Sequence, residues 1–278
     1  MEKQLIANAA AELVISDSAN FISAENALSP ELEGMKIFEE PLIGVAGASD
    51  RYFEKLKEPD IIGEHFILPA EWLEGAQSVV SLFFPFSDTV KKSNRLNADC
   101  PSDEWLHART EGQIFLNKVC AQIKQITETE NYSCIIPALD KRFSNLSPYT
   151  KDKTHQIFYT SNWSERHVAY ICGLGTFGLS RGLITKKGIA GRFASFITDA
   201  EIDPDTRPYA KFNEYCNMCG ACINNCPVNA ISFEKGKMHP VCSDFLDETK
   251  IRFSPRYGCG KCQVKVPCES RIPEKIYN

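Results

Sequence analysis

Apolar residues recur at three- and four-residue spacing in two long stretches of this chain. Leu5, Ala9 and Leu13 mark one face of Lys3 to Ile15 and predict an amphipathic helix. Ile114, Phe115, Val119, Ile123 and Ile126 do the same between Trp105 and Glu128, the longest predicted helix. Other apolar stretches are unbroken. Leu42 to Ala48 (LIGVAGA) reads as a buried strand that enters a turn. Ala76 to Phe86 (AQSVVSLFFPF), β-branched and aromatic, reads as a central strand. Pro69 to Ala76 predicts a short helix with Leu73 and Ala76 inward, and Cys134 to Pro137 a short strand. Ser164 is placed to cap a helix over Glu165 to Cys172 that stops at Gly173. Gly182 to Thr185 and Arg192 to Thr198 are two more strands, with Lys186-Lys187-Gly188 as a hairpin turn between them.

Strands interleaved with helices and followed by a loop-rich tail predict an α/β (α+β) core over residues 1–202 and a small module over 203–278. Pro204 to Pro208 marks the linker. The chain has 278 residues and a formal charge of −5, which fits this size and gives no reason to expect nucleic acid. No apolar run reaches the length of a membrane span, so no membrane partner is expected. The first residues carry no basic or apolar leader pattern, and with reduced cysteines this predicts a cytoplasmic protein.

The tail changes the picture. Eight of the twelve cysteines fall after residue 210. Cys216, Cys219, Cys222 and Cys226 form C-x2-C-x2-C-x3-C with Pro227 next, the bacterial ferredoxin run. Three close thiolates serve one cubane, and the fourth reaches the other cluster. Cys242, Cys259, Cys262 and Cys268 supply the rest at irregular spacing. The simplest pairing gives cluster one Cys216, Cys219, Cys222 and Cys268; cluster two takes Cys226, Cys242, Cys259 and Cys262. A zinc site on Cys259-x2-Cys262 is the competing reading. Cys100, Cys120, Cys134 and Cys172 have no partner spacing and are expected to be small buried hydrophobes.

Gly173-Leu174-Gly175-Thr176-Phe177-Gly178 matches G-x-G-x-x-G. A dinucleotide site needs a strand before and a helix after. A helical pattern precedes this one, so a helix stop and turn is the better reading, with close approach to another large cofactor as a third. Asp140-Lys141-Arg142 reads as a solvated turn, and His155 and His167 as surface or capping residues.

Taken together, E-R-x6-G-L-G from Glu165 to Gly175, Gly191-Arg192 before Thr198-Asp199, and Y-G-C-x-x-C-Q from Tyr257 to Gln263 are similar to epoxyqueuosine reductases and corrinoid reductive dehalogenases. The resemblance covers about Leu42 to Cys268. It implies a nitroreductase-like core of the cobalamin-binding type followed by a two-cluster ferredoxin-like module. It implies a base-off corrinoid reduced by the adjacent [4Fe–4S] cluster, with a ferredoxin or flavodoxin as electron donor and a small organic substrate. Gly173, Leu174, Gly175, Gly178, Asn162 and His107 are then the cofactor contacts. The catalytic acid of epoxyqueuosine reductases is missing here, and Tyr159 stands in its place. In the dehalogenase branch a tyrosine donates the proton, which points to Tyr159 or Tyr149 with Arg192 in support. The missing acid also leaves open an electron-transfer or activating protein that reduces a partner's corrinoid or metal centre.

Overall fold

The computed structural model describes residues 1–145 and 160–275. Among them are eight strands: β1 (Leu42–Gly47), β2 (Ser78–Pro85), β3 (Cys134–Ile135), β4 (Gly175–Phe177), β5 (Leu183–Thr185), β6 (Gly191–Thr198), β7 (Ile231–Ser232) and β8 (Gly236–Lys237). Four form the central sheet in the order β1-β2-β6-β3, and every neighbouring pair is antiparallel. The predicted central strand is there, and all eight residues of β2 are buried. Its two faces explain the unbroken apolar run. Val80, Leu82 and Phe84 serve one core, while Val79 serves a second on the opposite face.

Eight helices among the described residues clothe this sheet and the tail: α1 (Lys3–Ser16), α2 (Arg51–Lys55), α3 (Pro69–Trp72), α4 (Asp88–Ser93), α5 (Asp103–Thr129), α6 (Glu165–Ile171), α7 (Ala221–Asn224) and α8 (His239–Arg252). On one side α1 and α5 pack Ile6, Val14, Phe115 and Val119 against Val80 and Phe84. On the other, α2, α3 and α6 supply Phe53, Trp72, Val168 and Ile171 around Trp163, whose ring stacks 5.6 Å from Phe66. The start of α5 is fixed by the Ser102 hydroxyl, which accepts from the Trp105 amide at 3.2 Å, and by Asp103 and Glu104 in the first turn.

Three expectations need correction. The buried face of α1 is Ile6, Ala10 and Val14, one residue on from the predicted set, and Leu5 is exposed. Both sets obey the same four-residue spacing in a helix apolar over much of its girth, so spacing alone does not choose between them. Ile114 is likewise exposed beside the buried Phe115. The Lys186-Lys187-Gly188 turn forms, with the Gly188 amide on the Thr185 carbonyl at 2.9 Å, but β5 pairs with β4 rather than β6. β6 carries apolar residues on both faces and belongs in a sheet covered on both sides.

The tail is strapped to the core along its length. Asp205 accepts from the Val45 amide at 2.9 Å and pairs with Lys3, and Arg207 pairs with Asp50 at 2.6 Å. Farther on, the buried Lys261 ammonium donates to the Asn94 carbonyl at 2.7 Å, and Arg256 pairs with Glu111 of α5. The Ile189 amide donates to the Cys268 carbonyl at 2.9 Å. The cysteine-bearing loops are therefore held in register with α4, α5 and the β5–β6 connection.

Candidate metal centres and the adjoining polar site

The eight tail cysteines come close together in the module, where Cys222 feels Cys262 as well as Cys216 and Cys219. Cys216, Cys219, Cys222 and Cys268 line one cavity together with Ile184, Ile189 and Val266. A short loop, α7 and a later turn bring them there, and Asn225 pins the two loops by donating to the Val264 carbonyl at 2.9 Å. Cys226, Cys242, Cys259 and Cys262 feel one another electrostatically on the inner side of the module. Burial, then neighbouring thiolates, pushes Cys222 and Cys268 up to about 12. Burial pushes Cys259 to the same level. Thiols crowded this way keep their protons unless a cation replaces them, which is the chemistry of a metal-thiolate site. Among the described residues, no three His, Cys, Asp or Glu side chains close around a single ion.

The two groups differ in surroundings. Cys219 is exposed, and Met218 next to it is 43% exposed. The second group faces the core. There the α6 residue Arg166 and the β8 residue Lys237 lie beside Cys242 and Cys262. Lys237 is pushed up chiefly by Cys262, against the effect of burial, and it hydrogen-bonds Cys242. The Ala230 amide donates to Cys226 Sγ at 3.2 Å. Arg166 belongs to the E-R motif, but Lys237 is not marked by the sequence, because the β7–β8 hairpin that returns it to the cysteines is only two residues per strand.

The structure separates the other predicted site residues. Gly173 follows α6 with φ of +82°, a helix stop as expected. Gly175 opens β4, and a Cβ there would sit 2.0 Å from the Ile184 carbonyl oxygen. With a helix before it and a hairpin after it, the glycine run is not a dinucleotide loop. Leu174 is buried with Phe83 and Leu183, and Gly178 turns the β4–β5 hairpin by donating to the Gly182 carbonyl at 2.8 Å. Because the Gly175 clash is with backbone, Gly175→Ala is expected to destabilise the protein by about 1–3 kcal/mol whether or not a cofactor is added. Thermal melting of wild type and variant, with and without cobalamin, checks this; a loss seen only with cobalamin would assign the glycine to the cofactor instead.

Asn162 is buried, and its side-chain amide ties it to the chain that precedes residues 146–159. Its Oδ1 accepts from the Ser144 amide at 2.9 Å and its Nδ2 donates to the Arg142 carbonyl at 2.7 Å. Tyr149, Tyr159 and His155 lie outside the described residues. His107 is fully buried; its Nε2 accepts from the Leu28 amide at 3.2 Å, which leaves the proton on Nδ1, 3.3 Å from Glu111. His167 bonds Ser164 through Nδ1 at 2.7 Å. Arg142 closes its turn on Asp140, as expected, and also covers the Trp72 ring at 4.7 Å. Cys120, Cys134 and Cys172 are buried as expected, whereas Cys100 is only half-buried.

Arg192 is no surface charge. It projects from β6 toward α5, donates to Gln113, and keeps a buried Nε without a partner. Burial first, and then the nearby Arg109, pull it down to about 10, so it remains a cation at neutral pH. Glu165, at the start of α6, has both carboxylate oxygens buried and unpartnered. Burial raises it to about 7, opposed by the Ser195 hydroxyl, which itself accepts from Trp163 Nε1 at 2.8 Å.

The 4Fe-4S binding domain family matches residues 209–232, which hold the ferredoxin run. The tetrachloroethene reductive dehalogenase of Desulfitobacterium hafniense is 41% identical over 69 residues, 24% of this chain and 12% of that protein. That of Dehalobacter restrictus matches to the same extent. Among solved structures, a catabolic reductive dehalogenase aligns with 84% of this chain and 30% of its own, at 15% identity and a TM-score of 0.54. The epoxyqueuosine reductase from Streptococcus thermophilus aligns with 84% of this chain and 65% of its own, at 19% identity and a TM-score of 0.49. The chain thus spans about an eighth of the curated relatives it matches and less than a third of the dehalogenase structure. It is an iron–sulfur protein of mixed α/β architecture with a ferredoxin-like module near its C-terminal end. Its relatives in sequence and fold are reductive dehalogenases, and epoxyqueuosine reductases stand among its structural neighbours. No helix among the described residues is long and apolar enough to cross a membrane.

Proposed function

We propose that this chain is an iron–sulfur reductase that passes electrons through two [4Fe–4S] clusters to a base-off corrinoid, which reduces a small organic substrate. The observation that carries this reading is the gathering of eight cysteines in one small module packed against the α/β core. One quartet reaches the surface at Cys219, and the other lies against α6 at Arg166. Electrons from a ferredoxin or flavodoxin enter at the exposed quartet, where Met218 offers an apolar contact, and leave from the inner one. A reaction with such a donor belongs in the reducing cytoplasm.

The residues beside the inner quartet suit a large polar cofactor. Gln263 Oε1, directly after Cys262, and Thr110 Oγ1 are buried without a partner, and buried polar atoms rarely stay so. A macrocycle rimmed with carboxamides supplies the missing hydrogen bonds. When bound, a corrinoid supplies a strongly reducing, nucleophilic metal, and that chemistry is the cofactor's own. This chain's part is to hold the cofactor, keep water out, and deliver a proton. In this reading Tyr149 or Tyr159 is the donor, and Asn162 fixes the ends of the segment that carries them. Leu174 packs in the core with Phe83 and Leu183, Gly173 turns toward Asp205 and Thr206, and Gly178 lines the cavity of the first quartet.

The test is anaerobic purification with iron analysis and absorption spectra, before and after cobalamin and a reductant are added. Two cubanes predict about eight irons per chain. One equivalent of cobalamin is expected to shift to a base-off spectrum. Full iron with an unchanged cobalamin spectrum would sink the corrinoid reading.

A further inference from the structure

Two guanidinium groups converge between α5, β6 and the segment before Cys259, and neither has an acid to neutralise it. Arg109 lies on the buried face of α5, one helical turn before Gln113. Arg192 reaches across from β6 to donate to that same Gln113. The Arg109 guanidinium lies 4.3 Å above the Tyr257 ring, which fixes its plane and leaves its N–H edge free. The Nε atoms of both arginines are buried, and neither has a hydrogen-bond partner. Among the described residues no carboxylate pairs with either; Glu111, two residues along α5, is committed to Arg256. Both side chains keep partial exposure, so the site can be entered from outside.

Two half-buried like charges with idle donors are costly as they stand, because each is desolvated and repelled by the other. They persist where something negative completes the group. Planar forks with free N–H edges match the two oxygens of a carboxylate or phosphate, which each can grip in bidentate fashion. Resting on the reductase reading above, we propose that Arg109 and Arg192 form a binding site for the oxyanion of a small organic acid, the carboxylate or phosphate of the molecule to be reduced. Tyr257 stands two residues before Cys259, so an anion held here lies beside the inner quartet. The opposite reading, two arginines packed for structure alone, leaves the idle Nε donors unexplained.

Calorimetry on the purified holoprotein, kept anaerobic, tests the site with benzoate, its neutral counterpart benzamide, and inorganic phosphate. Benzoate is expected to bind at one per chain and at least about tenfold more tightly than benzamide, with phosphate competing for the same site. Arg109→Met and Arg192→Met are each expected to weaken benzoate by about tenfold or more, while Arg192→Lys, which keeps the charge and loses the fork, falls between. Phosphate outcompeting benzoate assigns the site to a phosphate-bearing ligand, and benzoate outcompeting phosphate to a carboxylate; both support an oxyanion site. Equal binding of benzoate and benzamide, or unchanged benzoate affinity in folded Arg192→Lys and Arg109→Met proteins, overturns it. Cobalamin added to the same samples is read by its absorption spectrum. A silent cobalamin spectrum with benzoate still bound leaves the anion site standing and removes the corrinoid reading, and the reverse result separates them the other way.

Discussion

Cys268→Ala is expected to halve the iron content, from about eight to about four per chain, and to spare the inner cluster. The reasoning is geometric. Cys268 shares a cavity with Cys216, Cys219 and Cys222, although 46 residues separate it from Cys222 and it lies outside the matched ferredoxin segment. Its neighbours in charge are the same three cysteines. Cys226→Ala should remove the other cluster, since Cys226 is grouped with Cys242 although it ends the ferredoxin run. Iron analysis and low-temperature electron paramagnetic resonance of the reduced proteins read both results. Each variant should lose the spin coupling between two reduced clusters and keep the signal of one. The expected contrast is in reduction by a protein donor. The Cys268→Ala protein, stripped of its surface cluster, should be reduced slowly by ferredoxin yet normally by a small chemical reductant. Loss of all iron in Cys268→Ala, or none, would contradict the pairing.

The cluster ligands can be read from the chain because their chemistry is local in sequence. Three thiolates two residues apart can scarcely do anything else, and the remaining ligands follow by elimination among few cysteines. The central sheet is legible for a similar reason: β2 is buried on both faces, so its composition alone marks it. What the sequence does not disclose depends on which side of an element faces inward or on which strand pairs with which. The face of α1 is one example, and the partner of β5 is another. Both choices are made by contacts far along the chain. Arg109 carries a signal that sequence reasoning missed. It sits at a position in phase with Trp105, Gly112 and Leu116, on the buried side of α5, where a cation is out of place. Glu165 stands out for its place in a motif, but nothing in a motif tells that both its oxygens are shut away from water. The same holds for His107 and Asn162. Their residue types alone do not disclose the backbone contacts they make, at Leu28 for His107 and at Ser144 and Arg142 for Asn162.

Glu165→Gln is expected to stabilise the protein by about 3 kcal/mol at pH 8 and by under about 1 kcal/mol at pH 5. In the folded chain the Glu165 carboxyl is raised from 4.5 to about 7, first of all by burial. The sign follows from linkage. A raised carboxyl binds its proton more tightly when folded than when unfolded, so stability is lost as pH climbs from the unfolded value through the folded one. At about 1.4 kcal/mol for each pH unit between the two values, the loss reaches about 3 kcal/mol at most. Glutamine keeps the shape and removes the charge, so the variant escapes that loss. Other groups titrate in the same window with the opposite slope. Burial holds His167 and His239 down to about 4, which favours the folded state as pH rises. The informative quantity is therefore the difference between variant and wild type, in which those histidines cancel. Thermal midpoints of both holoproteins, taken anaerobically at pH 5, 7 and 8, supply it. A gap that is small at pH 5, has mostly opened by pH 7 and levels off toward pH 8 means that the folded carboxyl still holds its proton for part of the time near neutral pH, one residue from the Arg166 that lies beside the inner cysteines. A gap that stays constant from pH 5 to pH 8 would mean that the carboxylate is ionised throughout, with Ser195 or solvent satisfying it.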